Sequence, residues 1–246
     1  MKNRIRKVCL IFAMREEAQL IIDAFQLTKA ESHASSHMPF IFYEGQHKEI
    51  YIDLAVNGVD HRYNVDLVGP IPSALIADYV CRTFHPDLII SCGTAGGFRS
   101  LGADIGDIYT SAERCIFHDR HVPLPRFVES ALGSYPVLNS ETLAYELSFK
   151  RGIISTGSSL EKNEKDLRII RENNASVKEM EAASIAWVCG LYEIPFLGLK
   201  SITNLLDMEN SSQDEFCRNM QIACASLADA CIRTISYLLN KSIDDL

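Results

Sequence analysis

The chain has 246 residues, 47% of them hydrophobic and 23% charged, which is ample for a large buried core. A formal net charge of -8 and the lack of any basic cluster argue against nucleic acid as a partner. No apolar run reaches the roughly 18–20 residues of a membrane span. The basic start, Met1 to Lys7, leads into the apolar stretch Val8 to Met14 without an export-type cleavage site, so a first strand is expected there and not a signal peptide.

Val8 to Ala13 reads as a buried strand, and Glu16 to Ala24 as a helix. Phe40 to Glu44 and Ile50 to Val56 read as strands of a hairpin or meander. Gly69-Pro70-Ile71-Pro72 leads into an apolar helix over Ser73 to Phe84. Asp87 to Cys92 reads as a central strand running into a glycine-rich turn, Gly93 to Gly97. Short strands follow at Asp107 to Ser111 and Arg151 to Gly157, separated by an irregular stretch, 116–150, with Pro123, Pro125 and Pro136. That stretch reads as a long functional or subunit-contact loop. An alanine-rich helix, Ala182 to Leu191, precedes a strand at Pro195 to Leu199. Residues 214–240 form a long closing helix. Strands alternating with helices predict an α/β fold, one domain over 1–246, with a central mixed, mostly parallel sheet flanked by helices.

Eight cysteines show neither CxxC spacing nor histidine partners, so no metal is expected. Cys217, Cys224 and Cys231 recur every seven residues beside Met220, Leu227 and Ile235, the pattern of a core stripe. Free buried thiols suit a reducing cytoplasm. There is no GxGxxG fingerprint and no Walker lysine motif. The run Lys200-Ser201-Ile202-Thr203-Asn204-Leu205-Leu206-Asp207 follows the last strand, and it places polar side chains where open α/β sheets bind ligands.

Ala13-Met14-Arg15-Glu16-Glu17-Ala18, Cys92-Gly93-Thr94-Ala95-Gly96-Gly97 and Lys178-Glu179-Met180-Glu181-Ala182-Ala183, in this order before Thr203-Asn204, resemble the methylthioadenosine/S-adenosylhomocysteine nucleosidases over nearly the whole length. Val68-Gly69-Pro70-Ile71-Pro72-Ser73 and Phe117-His118-Asp119-Arg120 resemble the plant-type branch. The resemblance implies a nucleoside phosphorylase/nucleosidase fold and hydrolysis of the N-glycosidic bond of a purine nucleoside, with no cofactor. Such a reaction builds positive charge on the ribose and negative charge on the purine. By the same resemblance, Glu17 activates water and Glu181 accepts from the ribose diol. Met180 packs under the sugar, and Glu179 stands at a second ribose-side position. Thr94, Ala95 and Gly96 line the ligand, Leu160 and the backbone of Glu161 clasp the base, and Gln213 lies near the 5′ pocket. Thr203 is a further substrate-binding position. Each of these residues also has an ordinary structural reading: Glu17 as a first-turn carboxylate, Glu179 and Glu181 as acids at a helix start, Asn204 as a helix cap. Relatives are commonly homodimers, and His118 to Phe127 is the expected contact.

Asn204 departs from the family pattern, which has an aspartate that protonates the base. An amide cannot give up a proton, and loss of a general acid costs about 10²–10⁴-fold. Three readings stay open: a reduced-activity or trapped variant, natural or engineered; a changed base preference toward 6-oxopurines, as nucleosidase or phosphorylase; or Asp207 acting as the acid after a register shift. Arg15 could meet phosphate but reads as a surface side chain. A nucleoside-binding protein without catalysis is a further alternative, disfavoured by the retention of Glu17 and Glu181.

Overall fold

The structure is a computed structural model and describes residues 4–31, 37–209 and 212–246. The chain runs through β1 (Lys7–Phe12), α1 (Arg15–Phe25), β2 (Thr28–Lys29), β3 (Ile41–His47), β4 (Ile50–Val56), β5 (Val59–Asp60), β6 (Val65–Asp66), α2 (Pro70–Phe84) and β7 (Leu88–Gly97). It continues through β8 (Ile108–Phe117), α3 (Phe127–Leu132), β9 (Tyr135–Pro136), α4 (Glu141–Leu147), β10 (Lys150–Thr156), α5 (Glu164–Glu172), β11 (Ala175–Glu179), α6 (Ala182–Leu191), β12 (Phe196–Leu205) and α7 (Ser212–Tyr237).

The continuous apolar runs of β1 and β7 are buried on both faces, as strands in the parallel part of a covered sheet must be. Pro70 opens α2 at a position where its missing N–H costs nothing. Asn163 caps α5 by accepting the Asp166 N–H at 2.9 Å. One core lies between the sheet and α2 with α6, through Ile76, Val80, Ile185 and Ile202. A second lies between the sheet and α1 with α7, through Ile21, Leu54, Ile90, Leu227 and Ile235. The fold is therefore the expected α/β sandwich of helices around a mixed sheet. Among the described residues no helix is long and apolar enough to cross a membrane.

The strand order is β11-β10-β8-β12-β7-β1-β4-β3-β2, with β9 on β8. The pairs β1–β4, β1–β7, β7–β12, β8–β10 and β10–β11 are parallel. The distal end of β7 also pairs antiparallel with β11, Val177 opposite Gly97 and Lys178 opposite Gly96. The strands β7, β12, β8, β10 and β11 thus close into a ring, and the far end of that ring carries the site.

Four expectations change. The glycine run Gly93 to Gly97 is strand, not turn, because β12 on one side and β11 on the other supply its hydrogen-bond partners. Lys200 to Leu205 likewise belongs to β12 itself, and is not a loop beyond it. The stretch 116–150 contains α3, β9 and α4. Of the cysteine stripe, Cys224 and Cys231 are buried in α7 and Cys217 is exposed.

Candidate active site

A cavity of about 250 Å³ opens at the end of the strand ring. The loop after β1 and the start of α1 give Ala13, Met14 and Glu17; β7 gives Thr94, Ala95 and Gly96. The turn from β11 into α6 gives Lys178, Glu179, Met180 and Glu181. Thr203, Asn204 and Leu206 come from the end of β12, and Val68, Leu160 and Phe216 close the walls.

Glu17 sits in the first turn of α1, yet only 4% of it is exposed. Its Oε1 accepts both the Thr94 N–H and the Thr94 hydroxyl at 2.7 Å, and its Oε2 accepts the Met14 N–H at 3.3 Å. The carboxylate is therefore aimed from three directions. Burial raises its pKa, while the Thr94 bonds and the Lys200 charge pull it back down. A Cβ on Gly93 would lie 3.4 Å from Glu17 Oε1 and 3.5 Å from Lys200 Nζ, so the bare glycine lets both groups approach one patch of backbone.

Lys200 is the cation beneath these carboxylates. It is 1% exposed, its Nζ lies 3.0 Å from Glu179 Oε2, and it donates to Ser91 Oγ at 3.1 Å. Burial alone would lower its pKa, but Glu179, Glu181 and Glu17 together raise it, so the ammonium persists. Glu179 also accepts from the Thr156 hydroxyl, from the Glu181 N–H at 3.0 Å and from the Ala182 N–H at 2.8 Å. Its lone pairs are consumed in capping α6 and holding Lys200. Glu181, by contrast, accepts one bond among the described residues, from the Gly69 N–H at 2.8 Å to Oε1, and it lines the cavity. Burial and the neighbouring Glu179 charge push its pKa up to about 8.

The opposite wall is built around a break in register. β12 pairs Ile202 with Ala95 but Asn204 with Gly96, so Thr203 is the extra residue of a bulge. Bulges re-aim side chains, and this one brings Thr203 and Asn204 both to the cavity. The Thr203 hydroxyl lies 3.2 Å from the Ala95 carbonyl and 3.0 Å from Asn204 Oδ1. Asn204 Nδ2 makes no hydrogen bond among the described residues and would touch a Cβ on Gly96 at 3.0 Å. Asp207 points away: its two oxygens accept the Arg99 and Ser100 N–H groups at 2.8 Å. A register shift that makes it the acid would break both bonds.

A family model described as the phosphorylase superfamily matches residues 7–236. A 5′-methylthioadenosine nucleosidase of Arabidopsis thaliana is 33% identical over 98% of this chain and 91% of its own length. A 5′-methylthioadenosine/S-adenosylhomocysteine nucleosidase of the same plant is 31% identical over 100% of this chain and 96% of its own. The chain belongs to this nucleosidase family. The solved apo structure of the Arabidopsis methylthioadenosine nucleosidase superposes with a TM-score of 0.96 over 99% of this chain and 100% of that one. A futalosine hydrolase of Helicobacter pylori, 22% identical with a TM-score of 0.77, shares the fold.

Against the nucleosidase family's pattern, Glu17, Thr94, Ala95, Gly96, Leu160, Glu179, Met180, Glu181, Thr203 and Asn204 all converge on one cavity. Glu161 and Gln213 do not. The Glu161 carboxylate accepts the Gln213 N–H at 2.9 Å, so these two residues tie the loop after β10 to α7 outside the cavity. Phe216, one turn further along α7, lines it instead. His118 is wholly buried, bonded through Nδ1 to Ser155 Oγ at 2.9 Å, and cannot serve as a subunit contact. Arg15 pairs with Asp66 at 2.7 Å, away from the cavity. Sequence reasoning missed the roles of Lys200, Lys178 and Phe216. A lysine inside an otherwise apolar strand was the available signal for Lys200. Among the described residues no group of histidine, cysteine, aspartate or glutamate side chains is arranged to hold a metal.

Proposed function

We propose that this protein hydrolyses the N-glycosidic bond of a purine nucleoside carrying a 5′-alkylthio group, with methylthioadenosine as the model substrate. The observation that carries this is the Glu17 carboxylate, buried at the cavity and aimed by Thr94 and Met14. Glu17 orients water against the anomeric carbon and accepts its proton. Glu181 accepts from the ribose hydroxyls through the oxygen that Gly69 leaves free. Met180 packs under the sugar and Leu160 on the purine. The carboxylates on the ribose side favour the positive charge that develops there.

Asn204 donates from Nδ2 to N7 of the purine and transfers no proton, so turnover is slow while binding is retained. A second reading has its own support. Asn204 and Lys178 both line the cavity, and two donors meeting the base would suit a 6-oxopurine, whose oxygen accepts, better than a 6-amino group. Product release from methylthioadenosine and from inosine without phosphate separates the two. Adenine release that Glu17→Gln abolishes, while methylthioadenosine still binds, supports the first reading. Full activity in Glu17→Gln refutes the role of Glu17, and faster inosine cleavage selects the second reading.

The finer setting follows the same way. All eight cysteines are free, which supports a reducing cytoplasm. The helices α2 and α6 pack together and turn Ile71, Leu75, Trp187 and Leu191 outward, 77%, 50%, 48% and 64% exposed. Leu124 and Phe127 are also exposed, 55% and 56%, and a homodimer that covers such apolar side chains is expected to close the 5′ end of the cavity.

A further inference from the structure

Lys178 is a costly residue for its position. It lies in β11 with 4% of its surface exposed, where a methionine would fill the same space without a charge. Lys200, the other buried lysine of the site, has a carboxylate partner at 3.0 Å. Lys178 has none within ion-pairing distance among the described residues. Its ammonium donates instead to the Ser159 carbonyl and, at 3.0 Å, to the Leu160 carbonyl. These are the two central residues of the loop that follows β10. Burial draws the Lys178 pKa below the ordinary lysine value, against the more distant charges of Asp166, Glu179, Glu161 and Asp119. A retained charge with such partners points to a task beyond packing.

The strand register says where that task lies. Lys178 stands opposite Gly96 on β7, and Asn204 stands opposite the same Gly96 from the other side. Lys178 and Asn204 therefore flank one bare glycine, and both line the cavity with Leu160. An ammonium has three N–H donors, and two are spent on the loop. The loop has further anchors: the Ser158 N–H on the Asp119 carboxylate at 2.6 Å, the Glu161 carboxylate on the Gln213 N–H, and Lys162 on the Met208 carbonyl. Those anchors hold its outer side. Among the described residues, Lys178 is the side chain that takes the Ser159 and Leu160 carbonyls.

Building on the proposed nucleosidase reading, we propose that Lys178 is the positioning residue of the base subsite. Its ammonium gathers the Ser159 and Leu160 carbonyls, holds the Leu160 side chain against the purine, and sets the width of the slot between that loop and Asn204.

The test uses the full chain, with Lys178→Met and Lys178→Arg as variants. Amide hydrogen exchange over 158–162 without ligand reads the loop, and calorimetric titration with adenine reads the slot. The proposal expects exchange at least tenfold faster in Lys178→Met, adenine affinity at least tenfold weaker, and both substantially restored in Lys178→Arg. Lys178→Met with an unchanged loop overturns it, and so does a freed loop with unchanged adenine affinity. A lysine serving bulk stability alone would lower the melting temperature of both variants without confining the exchange to this loop. If Lys178→Met unfolds, Lys178→Arg decides: restored loop protection and adenine binding support the proposal, and loss of either in a folded protein overturns it. A parent chain that binds neither adenine nor methylthioadenosine refutes the nucleosidase reading. Exchange in the loop then decides separately whether Lys178 holds it.

Discussion

Lys200→Met is the sharpest probe of the charge arrangement under the site. The Lys200–Glu179 pair is 3.0 Å apart, and each side chain is 1% exposed. Removing one partner of such a pair strands the other charge in a low-dielectric interior, at about 3–5 kcal/mol. In a chain of this size, each kcal/mol moves the melting temperature by about 2–4 °C. Lys200→Met should therefore melt about 6–20 °C below the parent in circular dichroism scans at one protein concentration. The cause can be isolated by adding Glu179→Gln, which removes the stranded charge. The double variant should regain part of the loss. Recovery is incomplete because Thr156, Glu181 and Ala182 all donate to Glu179, and an amide nitrogen accepts none of those bonds. Glu17 would also lose a cation that lowers its pKa, so any activity remaining in Lys200→Met should move to higher pH. A single variant within about 1 kcal/mol of the parent, below the range for breaking a buried pair, would refute the reasoning. So would a double variant less stable than Lys200→Met.

Three further outcomes are expected. Asn204→Asp should raise adenine release from methylthioadenosine by about 10²–10⁴-fold, the usual worth of a general acid, measured without phosphate; an unchanged rate would place the acid elsewhere. Glu181 has a folded pKa of about 8 against an ordinary 4.5, so the folded state binds the proton more tightly. Its contribution to ligand-free stability is therefore full below 4.5 and lost as pH rises through about 8, while methylthioadenosine binding, which needs the ionised acceptor, should strengthen over the same range. Glu181→Gln should flatten both profiles, and a parent flat from pH 5 to 9 would contradict the assignment. Gly157→Ala should destabilise by about 1–3 kcal/mol, the common cost of overpacking. The new Cβ would fall 2.2 Å from His118 Nε2, and that buried ring is tied at Nδ1 to Ser155. His118→Ala should relieve the effect in urea titrations, and an additive double variant would locate the strain elsewhere.

The apolar runs of β1 and β7 read as buried strands from residue type alone, and the resemblance to the nucleosidases singled out the first-turn Glu17 as a candidate base before any geometry. What sequence could not convey was register. Gly93 to Gly97 reads as a turn because glycine is a poor strand former, yet here it continues β7 and leaves room for Lys200, Asn204 and Leu206. Glu179 and Glu181 are two residues apart and alike in sequence. One spends its oxygens on α6, Thr156 and Lys200, and the other accepts, among the described residues, only the Gly69 N–H. Lys178 and Lys200 acquire their roles only when β11, β7 and β12 lie side by side.

Asn204 shows how far that framework constrains a single side chain. It is 3% exposed, it follows the Thr203 bulge, and its Oδ1 lies within reach of the Thr203 hydroxyl. A carboxyl in the same place would lose solvation on burial, which raises its pKa and keeps it protonated closer to neutral pH. A protonated carboxyl beside the purine is what departure of the base calls for. The surroundings of Asn204 thus suit an acid, although the residue is an amide. On the proposed reading Glu17 activates water and Glu181 holds the ribose above Lys200, and a protein that only bound nucleosides would have no use for a base held by Thr94 and Met14. On the proposed reading impaired turnover follows from Asn204 alone, so Asn204→Asp should restore it.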